Sequence, residues 1–495
     1  MNGKLHIPPR AGAMVEALRG LGYTPATALA DIIDNSIAAG ARQVDLRFCW
    51  AGPDSWISIL DDGCGMSRED LVKAMRLGER SPLETRAASD LGRFGLGLKT
   101  ASFSQARRLT VSTRRKRRAS CMRWDLDVLA GASDDGWYLL EGPHTGSEDR
   151  LAALADIEQG TLVLWECMDR IVGAGFREQD FLDLIDQIER HLAMVFHRFL
   201  EGPAPRLRLS VNGRGVQGWD PFLVNHPATW SSPETRLPPP NGAVTVQCHV
   251  LPHKDRLTPA LHDSAAGPEG WTSQQGFYVY RNNRMLLAGG WLGLGRGRAW
   301  TKEEAHRLAR IRLDITNAAD SDWKIDIRKS TARPPVTLRD HLTLLAEDTR
   351  ERARRVFAHR GQVQVRPGEQ PVTQAWKAEH FKGGMRYRID TTHPAVSAVL
   401  EQAGTLAPEI RAMLRVVEET IPVQRIWLDT AESRETPRTG FAETPSAEVT
   451  DLLRVMYRNL VIRKGVDPAL ARQRLRQTEP FNNFPQLIDA LPDHP

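Results

Sequence analysis

Asp31 and Asn35 stand four residues apart in the segment 24–40, TPATALADIIDNSIAAG, a spacing that makes them neighbours on one face of a helix. Side by side, a carboxylate and an amide can reach a metal ion, a phosphate or a water together. A second constellation, DDGCGM, opens on Asp61 and includes Met66. Gly63 and Gly65 allow a tight turn there and let backbone lie close to a ligand. Asp61 can accept a hydrogen bond from an exocyclic amine, which is how a pocket selects adenine. Asp and Gly are also common turn residues, so this motif alone has a purely structural reading. The third constellation is LGRFGLGLKTAS, residues 91–102, where Gly92, Gly95 and Gly97 let backbone N–H groups converge on phosphate oxygens. A helix opening there, through Leu98, Lys99 and Thr100, adds its dipole, and Lys99 adds a point charge. Leu98 separates Gly97 from Lys99, so the run is not a P-loop, and it does not form GxGxxG either.

Local signals place these residues on defined elements. Thr24 suits an N-cap, Pro25 a first helical position and Gly40 a left-handed position past the end. Leu29, Ile32, Ile33, Ser36 and Ile37 share the face expected to pack on a sheet, and the opposite face with Asp31 and Asn35 reads either as a ligand-facing surface or as a solvated acidic face. Alternation predicts strands at 43–48 and 56–60, the second running into Asp61, followed by a helix at 68–77 and a polar mobile loop at 78–90. A hairpin is expected from strands 109–113 and 121–124 around the basic run RRKRR, residues 114–118, whose readings are nucleic-acid contact or a solvated turn. Gly160 and Thr161 enter another strand, and 181–200 reads as one amphipathic helix whose apolar stripe is core. Residues 201–205, EGPAP, are a natural linker. Beyond it, strands are expected at 207–211, 243–251, 276–281, 284–287 and 309–315, with Asn282 and Asn283 as a hairpin turn. DWKIDIRKS, residues 322–330, alternates as a strand from whose end Lys329 would emerge. Helices are predicted at 337–359, 396–419 and 444–463, with polar loops at 360–374 and 430–443.

The 495 residues are enough for two to four domains, and 41% hydrophobic with 26% charged residues is ordinary for a soluble globular chain. With 66 basic against 61 acidic side chains, the net +5 permits an anionic partner without demanding one. Five scattered cysteines with no CxxC pair suggest neither a disulfide framework nor a zinc site. No apolar run is long enough to span a bilayer, and MNGKLHIPPR has no signal-type apolar region, so no membrane association and a cytoplasmic location are expected.

The order of the pieces resembles the Bergerat-fold GHKL ATPases, a group that includes DNA gyrase B, MutL, the ninety-kilodalton heat-shock chaperones, MORC proteins and histidine kinases. The resemblance covers roughly 12–335 and is nearest to prokaryotic MORC and MutL-like ATPases. It implies an α+β fold: a Bergerat ATP-binding sandwich over 1–200, a ribosomal-protein-like αβ transducer over 201–360, a linker at 361–375 and a mixed C-terminal region at 376–495. It also implies ATP and Mg2+ as ligands. Asn35 then binds the magnesium ion, Asp61 receives the adenine amino group, and Gly63, Gly65 and Met66 line the base. Gly92, Gly95, Gly97, Leu98, Lys99 and Thr100 close over the phosphates, Thr161 floors the adenine site, and Lys329 reaches the γ-phosphate. Asp31 takes the place of the glutamate that activates water. It is about 1.5 Å shorter, so slow hydrolysis is expected. The implied activity is an ATP-gated dimerising clamp on DNA, in restriction or phage defence with a nuclease or helicase partner. The alternative is a nucleotide-dependent scaffold with little turnover. A histidine-type kinase is disfavoured, because no helix with a phosphoacceptor His precedes Thr24 and a transducer follows.

Overall fold

The computed structural model describes residues 9–79, 97–132, 136–237, 244–319, 322–325, 331–358, 373–381, 384–426 and 445–493. The chain divides into two compact units, 1–361 and 362–495.

The first unit begins with α1 (Ala11–Arg19), α2 (Pro25–Ala38), β1 (Gln43–Cys49), β2 (Trp56–Asp61), α3 (Arg68–Met75), α4 (Gly97–Phe103), β3 (Arg108–Arg115) and β4 (Arg118–Asp125). It continues with α5 (Leu126–Gly131), β5 (Leu140–Glu141), β6 (Gly160–Glu166), α6 (Glu178–Val195), α7 (His197–Leu200), β7 (Arg208–Val211) and β8 (Arg214–Gly215). These strands form one mixed sheet in the order β5-β4-β3-β6-β2-β1-β7-β8. Only β1 and β7 run parallel, and the other neighbours are antiparallel. Val44, Leu46, Ile57, Ile59, Leu109, Val111, Val163 and Trp165 turn to one core with Leu29, Ile32 and Ile33 of α2, so the sheet carries its helices on that face. The α+β sandwich is therefore observed. Because β7 and β8 follow the 201–205 linker yet extend this sheet, the first sheet does not stop at the linker.

A second sheet follows, built from β9 (Trp230–Ser231), β10 (Thr235–Leu237), β11 (Val244–Val250), β12 (Gly276–Arg281), β13 (Arg284–Ala288) and β14 (Ala309–Ile315). Its order is β10-β11-β14-β12-β13, with β9 on β11. Between β11 and β12 lies α8 (Pro259–Ala265), and after β14 comes α9 (Val336–Ala358). Leu338, Leu342 and Ala346 of α9 pack with Val246, Ile311 and Leu313 in a second core. Asn282 and Asn283 both have positive φ, +50° and +68°, which makes the β12–β13 turn as expected.

Three local expectations change. The strand read through 322–328 is not one where it is described. Residues 322–324 form a turn with Lys324 at φ +48°, which breaks the alternation, although Trp323 and Ile325 are still buried. The helix expected over 181–200 ends at Val195, because the backbone at Phe196 leaves helical values (φ −105°, ψ 11°). β3 and β4 run to the very tip of their hairpin, so only Lys116 and Arg117, at φ +50° and +65°, make its turn. α1 also carries Ala11 and Val15 into the first core.

In the second unit, β15 (Trp376–Phe381) and β16 (Gly384–Ile389) pair antiparallel. The helix read over 396–419 is two, Pro394–Gln402 and Ala407–Glu419, separated by a 3-10 turn at Gly404–Leu406. Leu453, Met456, Tyr457, Leu475, Phe481 and Ile488 form its core. Among the described residues no helix is long and apolar enough to cross a membrane.

Candidate functional site

The site is built around α2. Thr24 and Thr27 form a reciprocal capping box with Pro25 at the first position, so the helix start is fixed before its polar residues are reached. Asp31 is not on a solvated face. It is 5% exposed, receives the Tyr23 hydroxyl on Oδ2 at 2.8 Å, and has the first residue of α4 beside it, since a Cβ on Gly97 would lie 3.7 Å from the same oxygen. Asn35, one turn on, is exposed. Burying an acid costs free energy unless it is satisfied, so two buried aspartates on one helix, Asp31 and Asp34, mark α2 as more than a packing element.

Asp61 ends β2 opposite Thr161 in the β2–β6 ladder. Its Oδ1 accepts the Gly63 N–H at 2.9 Å and its Oδ2 accepts the Ser36 hydroxyl at 2.8 Å. Burial raises the Asp61 pKa, against the lowering effect of Ser36 and of the Gly63 and Thr161 backbone. Ser36 therefore ties α2 to the carboxylate at the end of β2, a contact hidden behind its place in an apolar stripe. Thr113 is a second residue that sequence reasoning passed over. Its hydroxyl takes the Met66 N–H at 2.9 Å, donates to the Gly160 carbonyl at 3.0 Å and lies 3.2 Å from the Thr161 hydroxyl. The available signal was a polar residue in phase with Leu109 and Val111 on the buried side of β3. Gly65 (φ +61°) and Gly160 (φ +149°) need to be glycine, because a Cβ at either would run into a carbonyl oxygen, that of Arg114 or of Asp61.

Asp31, Asp61, Gly63, Gly65, Met66, Gly97 and Thr161 are thus drawn around α2 and the ends of β2, β3 and β6. Leu98 is half-buried against the first core, and Thr100 is buried in α4. Lys99 points elsewhere: its ammonium donates to the Ala74 carbonyl of α3 at 2.9 Å. Gly92, Gly95, Lys329 and most of the 78–90 loop lie outside the described residues.

The basic hairpin is largely engaged. Arg115 pairs with Asp70 at 3.0 Å, Arg114 donates to the Ala155 carbonyl at 2.6 Å, and Arg117 lies 3.9 Å from Glu158. Lys116 and Arg118 are exposed and make no ion pair among the described residues.

Burial lowers the Lys99 pKa to about 8 from 10.5, with Glu79 acting in the opposite sense. Between those values the unfolded chain holds more protons, so wild-type stability rises with pH through that window. Lys99→Met is expected to add about 2 kcal/mol of stability below pH 8, net of the lost bond to Ala74. The gain should vanish near pH 10.5. Urea unfolding at pH 7 and pH 10 measures it, and a pH-independent difference would contradict the buried-ammonium account.

The donor set fits a magnesium nucleotide. Asn35 offers a hard amide oxygen, and each oxygen of a carboxylate such as Asp61 can accept more than one hydrogen bond. Among the described residues no group of three His, Cys, Asp or Glu side chains is placed to hold a metal ion.

Residues 23–153 match the family described as histidine kinase-, DNA gyrase B-, and HSP90-like ATPase. The chain is 31% identical to ATPase morc-1 of Caenorhabditis elegans over 91 residues, 18% of this chain and 10% of that protein. It is 33% identical over 112 residues to the DNA mismatch repair protein MutL of Paramagnetospirillum magneticum, 22% of this chain and 18% of that one. For MutL of Pelotomaculum thermopropionicum the identity is 35% over 111 residues, 22% and 16% of the two chains. Each match therefore spans less than a fifth of the relative's length. With a buried carboxylate at the end of β2, the polar residues of α2 and the Gly65 turn inside the matched span, residues 23–153 are similar to the histidine kinase-, DNA gyrase B-, and HSP90-like ATPase family.

Proposed function

We propose that the chain binds Mg-ATP at this site, hydrolyses it slowly and works as an ATP-gated dimerising clamp on DNA. The observation that carries the reading is the double tether of Asp61, to Ser36 of α2 and to the Gly63 backbone, which fixes an acceptor carboxylate at the end of β2 beside Thr161. Asp61 receives the adenine amino group, Gly63, Gly65 and Met66 let the base lie close, and Thr161 closes the floor. Asn35 holds the magnesium ion, which neutralises phosphate charge when bound. Asp31 accepts a proton from the attacking water as oxygen bonds to the γ-phosphorus and the bond to the departing ADP breaks. Gly92, Gly95, Gly97, Leu98, Lys99 and Thr100 close over the phosphates, for which Lys99 has to leave Ala74. Lys329 completes the γ-phosphate contacts.

The second sheet with α9, residues 230–358, is assigned as the transducer, 361–375 as a linker and 376–495 as a region that contacts a client or a nuclease or helicase partner, in a cytoplasmic restriction or phage-defence setting. DNA as the client is supported by the names of the MutL relatives and by the +5 net charge. It is not supported by the whole basic run, most of which is internally engaged. A second reading, a nucleotide-dependent scaffold with little turnover, is favoured by the short reach of Asp31.

Phosphate release separates the two. The clamp reading expects release that is ATP-saturable and lost in Asp31→Ala, with ATP binding retained in that variant. A wild type that binds ATP and releases no more phosphate than Asn35→Ala would leave the scaffold. For DNA, Lys116→Ala with Arg118→Ala is expected to flatten the salt slope of binding by at most about 2. Filter binding across salt concentrations reads this, and an unchanged slope removes the hairpin from the DNA interface.

A further inference from the structure

We infer that Tyr23 is a positioning residue for Asp31, one that sets the plane of the carboxylate that meets the attacking water. The inference rests on the reading of Asp31 as the base. Tyr23 precedes the N-cap of α2 and reaches two turns along the helix, so that its hydroxyl donates to Asp31 Oδ2 at 2.8 Å. Its side chain is no loose surface group: Tyr23 is 8% exposed, and its ring belongs to the first core. Its backbone is held as well, because the buried Gln105 amide donates to the Tyr23 carbonyl at 3.1 Å. Gln105 lies two residues past the end of α4, whose first residue, Gly97, faces Oδ2 of Asp31. The two ends of α4 therefore meet the two members of the pair.

An aspartate needs this more than a glutamate would. Its shorter arm leaves fewer ways to approach a water, and rotation about its last torsion is broad and poorly restrained by itself. A donor held by the core on a buried carboxylate oxygen restrains that torsion and helps offset the cost of burial. The hydroxyl acts on the reaction through the Asp31 carboxylate to which it donates.

The experiment is a double-mutant cycle on the full chain, with phosphate release and ATP affinity measured in parallel. Tyr23→Phe keeps the ring in the core and removes only the donor. It is expected to lower kcat about tenfold to a hundredfold while ATP Kd and KM stay within about twofold. In an Asp31→Ala background the same change is expected to have no further effect. A Tyr23→Phe variant with wild-type kcat overturns the inference, and so does an equal loss of rate in the Asp31→Ala background, which would show that the hydroxyl acts elsewhere. If Asp31→Ala itself turns over like wild type, or if wild type binds ATP without releasing phosphate, the base reading falls and takes Tyr23's role with it.

Discussion

Asn35→Ala is expected to weaken Mg-ATP binding about a hundredfold while leaving the unfolding midpoint nearly unchanged. The two halves of this expectation have separate grounds. Asn35 is exposed on α2 while its neighbours Asp31, Asp34 and Ser36 are buried, so its side chain contributes little to the core. Alanine also has the better helix propensity, which offsets any small loss. Binding differs, because a hard amide oxygen offered to a magnesium ion is worth about 3 kcal/mol by analogy with the strongest charge-assisted contacts, or about a hundredfold in affinity. Calorimetric titration with ATP, with and without magnesium, isolates the effect: the variant should lose most of the gain that magnesium confers. Equal affinities in wild type and variant would mean that Asn35 is a solvated helix residue and that the metal, if any, is held elsewhere.

What was legible in the sequence was local. The capping signals of α2, the Asp61 turn and the β12–β13 asparagines depend on neighbours a few residues away, and each takes the expected form. The misread features all depend on distant packing. Helical periodicity left a solvated face open as one reading of Asp31, but α4 and Tyr23 cover it. Periodicity reports one apolar stripe and cannot show that a helix is wrapped on several sides. Lys99 sits beside the glycine run in sequence, yet α4 turns its side chain toward the end of α3. The alternation at 322–325 correctly marked Trp323 and Ile325 as buried, but one left-handed residue, Lys324, makes them part of a turn. Charge counting failed at the hairpin for the same kind of reason, since the partners of Arg115 and Arg117 are Asp70 and Glu158, each more than forty residues away.

The hardest feature to foresee also carries the largest expected stability effect. Asp34 lies in the same DIIDN run as Asp31 and Asn35, and its partner is Arg284 at the start of β13, 250 residues away. Arg284 Nε lies 3.2 Å from both Asp34 oxygens, with side-chain exposures of only 6% and 3%. The guanidinium also lies 5.4 Å from the Phe196 ring centroid. His191 nearby does not compete for the carboxylate, because burial, with Arg284 adding to it, lowers its pKa to about 4 and leaves it neutral at pH 7. Asp34→Ala or Arg284→Met removes one half of a buried ion pair, and each is expected to cost about 3–5 kcal/mol. The double variant removes both charges and should fall short of the sum by at least about 2 kcal/mol, since a paired burial gains little over an apolar one. Denaturant unfolding of the four proteins measures the cycle, and additive losses would show that the pair contributes no more than two separate surface charges. Because α2 also holds the residues assigned to base and metal, the single variants should weaken ATP binding even at temperatures where they remain folded. Asp34 pairs with Arg284 and is not among the residues assigned to the nucleotide, so a loss of affinity there would arise from a helix no longer moored to the second sheet.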